Sequence, residues 1–248
     1  MKKSRFDRFW RTLMLLLMWV VLAFVALQIS FVARIALMAV VNPESSAFER
    51  TQAWQIWQAK GRLPWRQTWV DYEHISPHLK RAVIVSEDDG FVNHDGVDWD
   101  ALEKAWQKNA RAEALAQRQG KAVVKPRVVG GSTISQQLAK NLFLSGERTL
   151  WRKSQELVIT FWLELLLSKQ RILEIYLNHV EWGEGVFGAE AAAQHYFRKT
   201  AAQLTPYEAA RLAVMLPRPK YFEKLPNSTY LAERSAVIAQ RLFGAELP

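Results

Sequence analysis

Between Thr12 and Ala33 the chain carries no charged side chain, and Leu, Met, Val, Phe and Trp dominate the run. As a helix it would reach about 33 Å, enough to cross the roughly 30 Å hydrocarbon core of a bilayer. A cleavable signal peptide is the competing reading. The apolar stretch is longer than a usual signal core, and no small-x-small cleavage site follows it cleanly, which favours an uncleaved anchor. Lys2, Lys3, Arg5, Arg8 and Arg11 precede it against a single Asp7, so the first 11 residues are expected on the cytoplasmic side and the rest outside. Ile35 to Val41 prolong the apolar run until Asn42-Pro43 stops it, giving an expected anchor over 12–41.

The remainder reads as a mostly helical domain behind a membrane-proximal connector that packs on it. Trp54, Trp57, Trp65 and Trp69 lie among polar residues in 42–75, where Gly61 and Pro64 break any long helix. Helix signals then follow one another. Ser76-Pro77 is an N-cap with proline at the first helical position, Asp100 to Glu103 and Thr133 to Gln136 read as capping boxes, and Thr205-Pro206 with Glu208 combines both devices. Leu157, Phe161 and Leu165, spaced by four within 147–167, suggest a buried core helix. Ala189 to Phe197 and Ser228 to Leu242 suggest two more, and Pro217 and Pro219 are expected to end the helix before the last. The basic loop 121–127 is the best candidate for mobility. Period-two alternation is scarce, so the fold class is mainly α. The chain has no cysteine, which excludes disulfides and thiol chemistry, and its formal net charge of +9 favours an acidic partner: nucleic acid, a phosphate-bearing ligand or an anionic membrane.

Three places carry chemistry. In Ser86 to Gly96 a helix runs out into Glu87, Asp88 and Asp89, carboxylates at the negative end of a helix dipole, where cations are normally favoured. A solvated acidic turn is the plain alternative. Gly130-Gly131-Ser132-Thr133 opens a helix on which Gln136 and Lys140 stand one turn apart beside the row of Gln137 and Asn141; such a start suits an anion. Arg148, Arg152 and Glu156, at i, i+4 and i+8, share a face with Lys153 close by, which read plainly is a surface salt-bridge ladder.

Taken in order, these segments resemble the family 51 peptidoglycan glycosyltransferases. Glu87-Asp88 with Phe91, His94 and Gly96 match the first family motif, and Gly130 to Leu138 with Lys140 and Asn141 the second. Arg152-Lys153 with Glu156 match the third, and Lys169, Ile172 to Glu174 and Tyr176 to Asn178 the fourth; a weaker fifth lies at 211–217. Ser135 stands where Thr is more usual, and Asp89-Gly90 are atypical. Neither the Ser-x-x-Lys nor the Lys-Thr-Gly motif of a transpeptidase occurs, so the resemblance is to a monofunctional member.

The resemblance implies a lysozyme-like glycosyltransferase domain over 76–248 that polymerises lipid II by a single inverting displacement and releases polyprenyl diphosphate. It implies Glu87 as general base with Asp88 in support, and Lys140, Arg148, Arg152 and Lys153 on the diphosphate. Glu156 is the second family carboxylate, and Ser132, Gln136 and Asn141 meet sugar or phosphate. Phe91 and His94 are expected as scaffold of the turn, Glu174 and Tyr176 as organisers of the core beneath it. No covalent cofactor is implied; a divalent cation, Mg or Mn, is compatible. The expected partners are lipid II, the growing glycan, the membrane and other cell-wall synthesis and division proteins, with no nucleic acid. The expected location is a bacterial inner membrane with the catalytic domain in the periplasm, residues 99–115 either dipping into the leaflet or belonging to the core. Rival readings are a glycan-cleaving lysozyme-like enzyme and a non-catalytic cell-wall scaffold.

Overall fold

The computed structural model describes residues 2–118, 131–144 and 149–248. The basic loop 121–127, Gly130 and Arg148 lie outside the described residues. The chain forms two compact units, Met1–Asn42 and Pro43–Pro248. The first is a single helix, α1 (Lys2–Met38), whose segment Phe6–Met38 is long and apolar enough to cross a membrane.

The second unit is mainly α, as the residue pattern suggests. Its helices are α2 (Ala47–Lys60), α3 (Pro77–Glu87), α4 (Trp99–Arg118), α5 (Ile134–Phe143), α6 (Leu150–Leu166), α7 (Lys169–His179), α8 (Ala189–Phe197), α9 (Pro206–Met215), α10 (Pro219–Glu223) and α11 (Thr229–Arg241). Hydroxyl caps set many of their starts. Ser46, Ser76, Thr133, Thr149, Ser168 and Thr205 each accept a backbone N–H of the first turn, a contact worth about 1 kcal/mol. Helix α3 buries Leu79, Ala82 and Val83 and packs on α9, whose buried Ala209, Ala210 and Ala213 let the two backbones approach; α11 covers both. Helix α5 lies against α6 and α7.

A small sheet, ordered β1-β3-β2, completes the unit: β1 (Arg66–Gln67) runs parallel to β3 (Val186–Phe187), and β2 (Glu181–Gly183) pairs antiparallel with β3. Gly185 turns β2 into β3 with φ +73°, and a Cβ there would lie 2.0 Å from the Pro64 carbonyl oxygen. Only glycine fits. These strands are too short to show alternation in the sequence.

The connector segment packs with the rest of the domain, and three other expectations change. Residues 43–75 fall within the second compact unit, where β1 supplies a sheet edge and α2 buries Glu49. Glu49 accepts from the Ser46 N–H at 2.6 Å, Gln67 Nε2 at 2.8 Å and His179 Nδ1 at 2.7 Å, tying α2, β1 and α7 together. Helix α4 starts at Trp99 rather than behind an Asp100 cap, because Asp98 Oδ1 accepts the Ala101 N–H at 2.8 Å. Pro219 opens α10 instead of merely ending α9, being at its first turn, where proline lacks no needed donor. On α6 the stripe Leu157, Phe161 and Leu165 is exposed, at 40%, 57% and 60%, while Glu156, Ile159, Thr160 and Leu163 face inward. An apolar stripe specifies an apolar neighbour, which here is not the protein core.

Candidate active site

Helix α3 delivers Glu87 as its last residue and Asp88 as its C-cap, where the backbone leaves the helix at φ −163°, ψ 72°. The two carboxylates then diverge. Asp88 is buried and both its oxygens are taken: Oδ2 accepts the Ile134 N–H at 2.9 Å, and Oδ1 meets His94 Nε2 at 2.9 Å. Because the Gly96 N–H donates to His94 Nδ1 at 3.1 Å, the ring proton resides on Nε2, which donates to Asp88. Asp88 thus joins the end of α3 to the start of α5.

Further contacts brace the turn. Thr133 Oγ1 donates to the Gly96 carbonyl at 2.6 Å, and Gly96 itself has φ +88° with no room for a Cβ, which would lie 2.7 Å from Thr160 Cγ2. Lys169 donates to the His94 carbonyl at 2.5 Å and to Glu164 at 2.8 Å, and its ammonium lies 4.6 Å from the Phe91 ring centroid. Ser135 donates to the same Glu164 oxygen at 2.5 Å. Phe91 and His94 therefore belong to the scaffold of the turn.

Glu87 faces a cleft of about 280 Å³ that Ser132, Thr133, Asp98 and Arg241 also line. A larger cleft of about 490 Å³ adjoins it, sharing Asp98 and lined by His94, Asp95, Asp100 and Lys104. Glu87 Oε2 accepts from Gln137 Nε2 at 2.9 Å, and Gln137 Oε1 accepts from the Tyr176 hydroxyl at 3.0 Å. Burial pushes the Glu87 carboxyl above its usual range, and the Asp88 charge adds to the rise; the Gln137 bond and the Lys140 charge oppose it.

The cations stand on α5 and α6. Glu156 is buried and accepts from Arg152 at 2.7 Å and from Lys153 at 2.5 Å. Lys140 is lowered from the usual lysine range, first by burial; Glu156 and Glu87 raise it, and Arg152 and Lys153 lower it further. It therefore lies within electrostatic reach of both Glu87 and the Glu156 group. Three cations against Glu156 leave positive charge over for an incoming anion. Arg152 Nε is buried and has no hydrogen-bond partner among the described residues.

The structure thus brings Glu87 and Ser132 to one cleft, and gathers Lys140, Arg152, Lys153 and Glu156 into one charged group. Gln136 is buried, its Oε1 accepting the Thr133 N–H at 3.3 Å in the expected capping box, and Asn141 is buried on α5. The residue pattern underrated Gln137, although the adjacent glutamines gave a signal: one of them must cap, which frees the other for the neighbouring face. Arg241, far along the chain, gave none. As for a divalent cation, among the described residues no cluster of three or more His, Asp or Glu side chains suits one. Each oxygen of Glu156 and of Asp88 accepts one protein donor.

The family model described as Transglycosylase matches residues 55–243. The chain is 54% identical over 226 residues to a biosynthetic peptidoglycan transglycosylase of Burkholderia thailandensis, covering 91% of this chain and 84% of that one. It is 52% identical over 229 residues to one of Paraburkholderia xenovorans (92% and 90%), and 49% identical over 237 residues to one of Herminiimonas arsenicoxydans (94% and 97%). The chain belongs to the transglycosylase family, its mainly α, lysozyme-like domain accompanied by one helix fit to cross a membrane.

Proposed function

We propose that this chain polymerises lipid II into β-1,4 glycan strands by inverting displacement, with Glu87 as general base. The observation that carries the reading is a cleft carboxylate whose proton affinity is raised by burial, set within reach of a surplus of cations on α5 and α6. Glu87 takes the proton of the acceptor sugar's 4-hydroxyl as that oxygen bonds to the donor's anomeric carbon. The bond from that carbon to the diphosphate oxygen breaks with inversion, and the leaving diphosphate carries the electron pair and its negative charge away. Lys140, Arg152 and Lys153, with Arg148, meet that charge as it builds up, which is where fixed cations lower a barrier most. Glu156 holds Arg152 and Lys153 in place for it. Ser132, exposed at the rim, and Asn141 meet sugar or phosphate, while Gln136 and Asp88 brace the start of the helix behind Ser132.

Lipid II is a membrane substrate, and α1 provides the tether that keeps the enzyme where it resides. The basic N-terminus orients that tether with the domain on the periplasmic face of the inner membrane. The exposed stripe of α6 and the exposed Trp99, Leu102 and Trp106 of α4 supply apolar surface for the leaflet. Other cell-wall synthesis and division proteins are its natural neighbours. Purified full-length protein incubated with labelled lipid II should yield polymer; shortening of pre-made glycan without polymer would establish a hydrolase instead.

A further inference from the structure

Tyr176 is buried on α7 and, among the described hydrogen bonds, does not reach the cleft carboxylate, yet its hydroxyl is aimed at the amide that touches Glu87. An amide presents a donor at one end and an acceptor at the other, and which end meets Glu87 decides what that contact does. With Nε2 toward Glu87 the contact stabilises a carboxylate. Reversed, Gln137 Oε1 would face Glu87 Oε2 across 2.9 Å, two acceptors in contact, a geometry open only to a protonated Glu87. Tyr176 discriminates between the two. Its hydroxyl donates to Oε1 in the present orientation; in the reversed one its buried hydrogen would lose its acceptor, which costs more than a formed bond gains.

We propose that Tyr176 is a positioning residue for the base: by donating to Gln137 Oε1 it holds the amide N–H on Glu87 and so keeps Glu87 in its proton-accepting form. The inference rests on the reading of Glu87 as general base. Burial, then the charges of Glu87 and Asp88, raise the Tyr176 phenol well above its usual range, so it remains a donor at every working pH. Other groups acting on Glu87 come from several elements. Asp88 follows it on α3, Lys140 faces it from α5, and Arg152, Lys153 and Glu156 stand behind Lys140 on α6. Asp98, Asp89 and Arg241 line the same cleft, with Arg241 paired to Asp89 at 3.0 Å. None of them contacts the Gln137 amide among the described hydrogen bonds, so the relay is separable from them.

The test is the pH dependence of lipid II polymerisation by the full chain in detergent. In Tyr176→Phe the acid limb of kcat should move up by about half to one pH unit, the span a single hydrogen bond supplies. The rate should fall about three- to tenfold below the limb and return to wild type above it. Gln137→Leu should move the limb at least as far, and the double variant no further than Gln137→Leu. A uniform loss at every pH with the limb in place would mean a merely structural Tyr176 and overturn the proposal. Should Tyr176→Phe lose its cooperative melt, an unshifted limb in Gln137→Leu overturns the relay by itself. The carboxyl-13C titration of Glu87, identified by its disappearance in Glu87→Gln, reads the same shift without turnover. Wild-type protein that never polymerises lipid II would fail the glycosyltransferase reading, whereas active wild type with unshifted variants fails only the role of Tyr176.

Discussion

Glu87 and Asp88 are adjacent acids with opposite fates, and the difference is made by partners rather than by residue type. Asp88 gives both oxygens to Ile134 and His94, while Glu87 keeps one oxygen without a protein donor among the described bonds. The raised Glu87 carboxyl has a thermodynamic sign. An acid whose folded-state pKa lies above its unfolded value favours the fold at pH below the unfolded pKa, and loses that contribution as pH rises through the folded pKa. At neutral pH Glu87 therefore opposes folding relative to a side chain of the same shape that never ionises. Glu87→Gln should raise the midpoint of thermal unfolding at pH 7, by on the order of 2 °C, with the gain vanishing toward pH 4. A drop in the melting midpoint at pH 7 would contradict it. The acidic pair was legible from the residue pattern, but its division of labour was not, because it depends on an N–H of α5 46 positions later. The same holds for the glutamines, where capping decides which one faces Glu87.

Helix identity was legible wherever caps and spacing were strong: α8 matches its expected bounds, and α3, α5 and α9 begin behind the expected caps. What spacing cannot convey is what lies opposite an apolar face. Leu157, Phe161 and Leu165 have core-like spacing and stand exposed, as do Trp99 and Trp106 of α4 at 70% and 75%. A helix that meets lipid reads the same as one that meets a protein core. The chain has no cysteine, so a single Leu165→Cys can be labelled with an environment-sensitive dye. Its emission should shift to the blue when the protein is moved from detergent-free buffer containing stabilising amphipol into lipid vesicles, with a matching Glu184→Cys label unmoved. Equal spectra at both positions in vesicles would leave the α6 stripe without a membrane role.

At the scale of the molecule, the boundary between compact units falls at Asn42, so the segment that precedes the motif-bearing 76–248 packs in the same unit with it. The motifs mark chemistry, and chemistry begins only at Glu87; the strand pairing of Arg66 with Val186 and the burial of Glu49 against His179 are long-range contacts with no local signature. A protein starting at Pro43 should fold cooperatively. One starting at Ser76 loses α2, β1 and the partner of buried His179, and should aggregate or melt without cooperativity. Equal stability of the two would show the early segment to be an appendage after all.

The claim that organises all three scales is that Glu87 is the base of a lipid II polymerase. The direct measurement is the polymerisation rate of Glu87→Gln against wild type at saturating lipid II and equal folded protein, together with lipid II binding by each. Gln keeps the shape and the Gln137 contact but takes no proton, so the rate should fall by about 100- to 10,000-fold, the usual contribution of general-base catalysis, while binding persists. A Glu87→Gln enzyme within a few-fold of the wild-type rate would contradict the assignment.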